Sequence, residues 1–403
     1  MKKDIVLMLH QMSGGGAERV MVLLANWLAE KGHAVSLILT NQLIDDVKGY
    51  KLNSDIDLMS LKEMRGKQTY ISKTRAKSDE IYGKVSYKLS KKTHKKPSDK
   101  AVLKKYISRY SDEINALNDF MLRKKNATII AFLDNPIHLS LLIKEKYPNI
   151  KLIISERSDP KLHDSSLSSS LFIKKYYHLA DGVVFQSSGA KEYYSQEIQA
   201  KSVIVSNPLT ANLPEAFSGK RRKVIVNFCR ISNQKNLPLL IDAFAKFNQS
   251  HSDYSLEIIG DAENEEGQAV LEKINSMLED YQLTEAVKIL PFDPFLHDKI
   301  KDCAMFVSSS DYEGMSNSML EAMAIGLPTI CTDCPSGGAR EIINDYENGI
   351  LVPIKNIDAL CSAMTEVADN PELMEKLSKN GVKLREKLSV DRIMNEWWKV
   401  IDA

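Results

Sequence analysis

The chain has 403 residues, too many for one ordinary hydrophobic core and a comfortable length for two. With 43% hydrophobic and 27% charged residues it has the composition of a soluble globular protein, with no solenoid repeat and no long disordered tail. The formal net charge is +1, yet residues 62–109 hold 16 Lys/Arg against 4 Asp/Glu, a local +12, so the remainder sums to −11.

The opening MKKDIVLML does not suit a secretory leader, because Asp4 interrupts it and the apolar run Ile5–Leu9 is short. Other apolar runs, such as ATIIAFL at 127–133, have strand length, so no membrane span is expected and the chain is taken as the mature protein. Five cysteines lie in the second half; Cys331 and Cys334 form a lone CxxC without a second pair. Zinc and redox roles are therefore not expected, and scattered thiols suit a reducing cytoplasm.

In chain order, Asp4–His10 reads as a buried strand, Ser13–Gly16 as a break, and Ala17–Glu30 as a helix with one apolar face. Gly32 stands where a helix C-terminal cap is expected, and Val35–Thr40 reads as a second strand. This is a βαβ unit, which implies a parallel sheet and a right-handed crossover. Ala127–Leu133, Lys151–Ser155, Gly182–Gln186 and Ser202–Val205 continue the strand series. A second series follows at Val224–Phe228, Leu256–Ile259, Val287–Leu290, Met305–Ser308 and Thr329–Cys331, with helices such as Leu237–Asn248 and Ala269–Tyr281 between. Two alternating runs predict an α/β protein of two Rossmann-like, doubly wound domains. The punctuated stretch between Pro208 and Arg222 marks the boundary.

Three segments carry chemistry. Gly14-Gly15-Gly16-Ala17-Glu18-Arg19 joins the first strand to the first helix, where a Cβ-free backbone and the helix N-terminus can approach an anion. Arg19 replaces the third glycine of a dinucleotide fingerprint, which weakens a dehydrogenase reading. Arg230 and Lys235 follow the first strand of the second series, and two cations there can grip a diphosphate. The most specific segment is Ser310–Ile330: Glu313 and Glu321 flank the N-terminus of a helix expected over Ser316–Ile325. Carboxylates there accept from sugar hydroxyls, and the helix end suits phosphate.

The ordered set GGGAER, SERSDP (155–160), NP (207–208), CRISNQKN (229–236), IIGD (258–261), the Glu313/Glu321 pair and CPSGGAREII (334–343) resembles glycosyltransferase family 4, retaining enzymes of GT-B fold. The likeness covers nearly the whole chain, and SERSDP and PSGGAREI are similar to segments of bacterial surface-polysaccharide transferases.

The resemblance implies two domains facing across a cleft: residues 1–207 for the acceptor, 208–388 for the nucleotide-sugar, and a helix at 389–403 crossing back to the first domain. It places Gly15 and Gly16 against donor diphosphate and acceptor, and Arg230 and Lys235 on the diphosphate. It places Glu313 on donor-sugar hydroxyls, Glu321 on the ribose, and the amides near Gly314, Met315, Ser316 and Asn317 on the phosphates. Arg230, Lys235 and Glu313 are the catalytic candidates, and Glu18, Asp134, Glu156 and Arg157 are those on the acceptor side. One departure is Arg157, where many relatives carry a histidine; His138 reads as a surface or core histidine instead.

The implied activity is retaining transfer of a hexose or N-acetylhexosamine from a nucleotide-sugar, with UDP favoured, to a glycan acceptor, lipid-linked in capsule or other surface-polysaccharide synthesis. No metal or other cofactor is expected: Asp55-Ile-Asp57 reads as a polar turn far from the diphosphate motifs. A UDP-sugar epimerase-like enzyme and a non-catalytic sugar-nucleotide-binding protein are the alternatives. The basic region 62–109, interleaved with Tyr70, Tyr82, Tyr87 and Tyr106, is expected to bind anionic lipid of the inner leaflet, giving a cytoplasmic, peripherally attached protein. No nucleic-acid motif accompanies it.

Overall fold

A computed structural model describes residues 2–64, 97–210 and 212–403. The chain divides into two compact units: Met1–Phe185 with Lys191–Val205 and Glu396–Ala403, and Gln186–Ala190 with Ser206–Asn395.

The first unit holds a seven-stranded parallel sheet. Its strands are β1 (Asp4–Leu9), β2 (Ala34–Leu39), β3 (Asp57–Ser60), β4 (Thr128–Phe132), β5 (Lys151–Ser155), β6 (Gly182–Phe185) and β7 (Ser202–Ile204). The order is β3-β2-β1-β4-β5-β6-β7, so the chain reverses direction across the sheet between β1 and β4. Ile5 to Leu9 are all buried, the pattern of a strand covered on both faces. The helix Gly16–Glu30 ends where Gly32 takes a φ of +82°, letting the Gly32 and His33 amides reach the Ala29 and Leu28 carbonyls. Asp57 opens β3 and Asp55 sits in the turn before it.

The second unit holds a six-stranded parallel sheet: β8 (Arg222–Phe228), β9 (Ser255–Ile259), β10 (Val287–Leu290), β11 (Cys303–Ser308), β12 (Thr329–Asp333) and β13 (Ile350–Pro353). Its order is β10-β9-β8-β11-β12-β13, with the reversal between β8 and β11. The helices Leu237–Asn248 and Ile357–Asp369 put Leu240, Phe244, Phe247, Leu360, Met364 and Val367 into its core. All five cysteines are free thiols, and no helix among the described residues is long and apolar enough to cross a membrane.

The terminal helix Val390–Asp402 begins in the second unit, and its last turns belong to the first. There Trp397 is fully buried against Phe132 (ring centroids 5.3 Å), and Trp398 stacks on His33 (4.5 Å). Lys3 pairs with Asp402 at 2.8 Å, and Lys151 donates to the Val400 and Ile401 carbonyls, the unpaired end of the helix. The interleaved tyrosines Tyr70, Tyr82 and Tyr87 lie outside the described residues. Tyr106, in the helix Asp99–Arg109, is buried against His138 and Phe172, because the apolar side of that helix packs inward. The expectation that Tyr106 reaches a lipid headgroup is therefore corrected.

Candidate active site

In the second unit the site is assembled from loops at the C-terminal ends of β8, β9, β11 and β12, beside the point where strand order reverses. Two close approaches require glycine. A Cβ on Gly260 would lie 1.8 Å from the Cys229 carbonyl oxygen, and one on Gly338 would lie 1.6 Å from that of Gly314. The first presses the loops after β8 and β9 together; the second brings the Ser336–Gly338 turn onto the loop that carries Glu313.

The loops after β8 and β11 are zipped by hydrogen bonds. Asp311 N donates to Gln234 O (2.9 Å), Gln234 Nε2 to Tyr312 O (2.9 Å), Asn236 Nδ2 to Asp311 Oδ1 (2.8 Å), and Ser309 Oγ to Lys235 O (2.9 Å). Asn236 adopts φ 42°, a left-handed conformation that asparagine tolerates, and this turns the chain into the helix Leu237–Asn248. Lys235 is thereby delivered to Glu313, with which it forms an ion pair. Glu313 Oε1 also accepts from Ser310 Oγ at 2.9 Å, and the Glu313 carbonyl accepts from Ser336 Oγ. Burial alone would lower the Lys235 pKa, but the Glu313 carboxylate outweighs it and holds the ammonium above its usual range. Arg230 lies exposed just beyond β8, with no side-chain hydrogen bond or ion pair among the described residues.

The segment after Glu313 presents backbone donors. Ser316 caps the helix Asn317–Ala324, its hydroxyl accepting from Met319 N at 3.4 Å. The amides of Gly314, Met315, Ser316 and Asn317 find no acceptor among the described residues. Four consecutive N–H groups at a helix N-terminus, next to a lysine, have the chemistry that suits an anion. Asn207 of the NP motif fixes this segment, donating from Nδ2 to Met315 O (3.2 Å) and Asn317 Oδ1 (2.8 Å). Glu321, farther along the same helix, is buried, and its Oε2 lies 3.0 Å from His297 Nε2.

In the first unit the glycine loop is organised by its own helix. The Glu18 carboxylate folds back to accept from Ser13 N (2.6 Å), Gly15 N (2.8 Å) and Tyr50 OH (3.1 Å). Burial and Glu18 together raise the Tyr50 pKa. The Gly15 amide is thus already bonded: the glutamate three residues on answers it as in a capping box. Gly14 adopts φ +101°, and the Gly16 amide has no acceptor among the described residues.

At the ends of β4 and β5 lies a polar cluster in which Glu156 and His163 are buried and Asp134 is half-buried. His163 turns Nδ1 to Asp134 (3.3 Å) and Nε2 to Glu156 (3.1 Å). Glu156 also accepts from Tyr177 OH, and Asp134 from Ser169 Oγ at 2.7 Å. Burial opposes the charged His163, but the hydrogen bonds to the two carboxylates win and raise its pKa to about 10. Burial likewise opposes the Asp134 carboxylate, yet His163 brings it down to about 2. Arg157 packs its guanidinium over the Phe132 ring at 4.8 Å, with its pKa lowered by burial to about 9, so it is cationic at neutral pH. His138 is a core residue stacked on Phe172, neutral because burial lowers its pKa to about 4.

Asp134, Glu156 and His163 also form a group of metal-ligand type among the described residues. The imidazole directs its two nitrogens to different carboxylates, however, so a single ion would displace one of those bonds. A protonated ring satisfies both.

Sequence reasoning named Lys235, Glu313, Gly314–Asn317 and Glu321, and these share one edge of the second sheet. Asp134 and Glu156 share one edge of the first. It missed His163, His297, Tyr177 and Ser310, whose roles arise from tertiary contacts. The only available signal for Ser310 was its place three residues before Glu313.

Residues 210–384 match the family model described as glycosyl transferases group 1. An uncharacterized glycosyltransferase of Haemophilus influenzae is 21% identical over 98% of this chain and 99% of its own. The Campylobacter jejuni GalNAc-alpha-(1->4)-GalNAc-alpha-(1->3)-diNAcBac-PP-undecaprenol alpha-1,4-N-acetyl-D-galactosaminyltransferase is 23% identical over 98% of each chain. Among solved structures, Anabaena HepE in complex with UDP superposes with a TM-score of 0.72 at 14% identity, covering 99% of each chain; that likeness speaks for the fold. The two parallel sheets have the GT-B fold, the loops built around Glu313 lie within the residues that match glycosyl transferases group 1, and relatives that span nearly the whole chain are glycosyltransferases.

Proposed function

We propose that the chain is a retaining glycosyltransferase that moves a hexose or N-acetylhexosamine from a UDP-sugar to a lipid-linked glycan in bacterial surface-glycan synthesis. The observation that carries this reading is the row of four amides at Gly314–Asn317 without an acceptor among the described residues, directly after Glu313 with its lysine partner. Such a site takes a diphosphate, and Glu313 beside it takes hydroxyls of the attached sugar. The undecaprenol-linked substrate of the Campylobacter relative and the UDP of the Anabaena structure support the acceptor and donor classes.

In the reaction the bond between the anomeric carbon and the phosphate oxygen breaks, and its electron pair stays with the diphosphate. The acceptor hydroxyl oxygen bonds the same carbon from the same face, and its proton passes to the departing phosphate. Lys235, Arg230 and the amides face the charge that grows on the leaving group, in place of a metal ion. Donor binding must divide Lys235 between Glu313 and the phosphate.

The test is nucleotide release from UDP-, GDP- and ADP-sugars with a polyprenyl-diphosphate-linked glycan acceptor, in chelator and then with added manganese or magnesium. UDP release that requires acceptor, an α-linked product by NMR, and equal rates with and without metal are expected. Inverted product, metal-restored activity or preference for another nucleotide would each remove that part of the reading. Conversion of a UDP-sugar without acceptor would make the protein an epimerase.

A further inference from the structure

Glu321 is held by more than its own helix. His297, in the short helix Leu296–Ile300 that follows β10, places Nε2 at 3.0 Å from Glu321 Oε2. A carboxylate only accepts, so Nε2 is the donor and carries the proton. The imidazole also meets Phe228, the last residue of β8, edge to face at 5.7 Å and 89°. Leu296 and Ile300, buried on either side, fix the helix that carries it. The ring is thus oriented by packing on one side and by a carboxylate on the other.

The Glu321 side chain is only 7% exposed, and a buried carboxylate needs donors. The histidine bond restrains rotation of the carboxylate, whose two oxygens offer about four lone-pair positions in all. Preorientation of this kind sharpens recognition of a hydroxyl pair, because the geometry is set before the ligand arrives.

We propose that His297 is a positioning residue: it pins one oxygen of Glu321 and so makes the donor subsite select a ribonucleotide over its deoxy analogues. This rests on the donor reading above, in which Glu321 faces the nucleotide sugar. His297 itself touches no reacting atom.

The experiment is equilibrium binding of UDP, 2′-deoxyUDP and 3′-deoxyUDP to the full chain, with GDP and ADP alongside. It compares wild type, His297→Gln, which keeps a donor, with His297→Phe and His297→Ala, which have none. Phenylalanine preserves the packing on Phe228, and circular dichroism checks folding of each variant. Wild type should bind UDP about tenfold or more tighter than at least one deoxy analogue, the order expected for one charged hydrogen bond. His297→Phe and His297→Ala should lose most of that preference by weakening UDP alone, and His297→Gln should keep most of it. In turnover, donor KM should rise more than kcat falls. Equal weakening of UDP and the deoxy analogues, or unchanged preference, would overturn the positioning role and leave the donor reading intact. Failure of wild type to bind any of the three ribonucleotides would overturn both.

Discussion

Lys235 and Glu313 compensate each other, with side-chain exposures of 16% and 14%. Removing either leaves the other poorly solvated and removes a group aimed at the donor. Lys235→Ala and Glu313→Ala should each lower kcat by about 10²–10³, the range for loss of one preorganised electrostatic contact. Both should stay folded, because strand-end loops rather than core carry them; near-wild-type turnover by either variant with unchanged melting would sink the assignment.

His163 makes a second prediction at the same scale. Its pKa is raised from 6.5 to about 10 in the folded chain, so its clamp on Asp134 and Glu156 contributes fully below pH 6.5 and is lost as pH rises through 10. Asp134, lowered from 3.8 to about 2, contributes above pH 3.8 and loses this as pH falls through 2. Denaturant unfolding of wild type minus His163→Gln should therefore show a stability difference that shrinks between pH 6.5 and 10. A difference that stays flat over that range would show the ring to be neutral in the folded chain.

At the level of elements, strands were the most legible feature. Parallel strands covered by helices on both faces are nearly continuous apolar runs, so Asp4–His10 and Ala127–Leu133 marked β1 and β4 within a residue or two. The strand β13 was not among those expected, and the helix Glu265–Asp280 begins four residues before Ala269 because Asn264 caps it, accepting from Gly267 N. The Glu313/Glu321 spacing was legible because both residues belong to one local loop-helix unit. His297 and His163 were not, because their partners come from other elements. So too Glu18: sequence shows a glutamate after three glycines, whereas only folding shows its carboxylate turned back onto the loop.

The terminal helix tests how firmly one element is tied down. Trp397 is fully buried, and its indole N–H makes no hydrogen bond among the described residues. Trp397→Ala should cost about 3–5 kcal/mol of unfolding free energy, and Trp397→Phe markedly less, since the ring stack survives and no bond is lost. Equal destabilisation by both in denaturant melts would contradict this packing.

For the molecule as a whole, the uneven charge is the property that the site chemistry leaves unused. Residues 62–109 carry +12 while the rest of the chain sums to −11, so a surface of negative charge should bind this chain in one orientation. A lipid-linked acceptor would be presented at such a surface, which joins this idea to the proposed function. Lys91, Lys92, Lys95 and Lys96 lie outside the described residues, but their charge is given by the sequence. In the described part, Lys100, Lys105 and Arg109 are exposed on the helix Asp99–Arg109, whose Tyr106 faces inward. Attraction must then be mainly electrostatic, at about 1 kcal/mol per well-placed cation, and screened by salt. The protein should co-sediment with vesicles containing phosphatidylglycerol and not with neutral phosphatidylcholine vesicles. The fourfold change of Lys91, Lys92, Lys95 and Lys96 to Gln should weaken binding by about tenfold or more, and raising salt from 0.1 to 0.5 M should release wild type. Equal binding to both vesicle types, or full binding by the fourfold variant, would remove the basic region as a membrane contact.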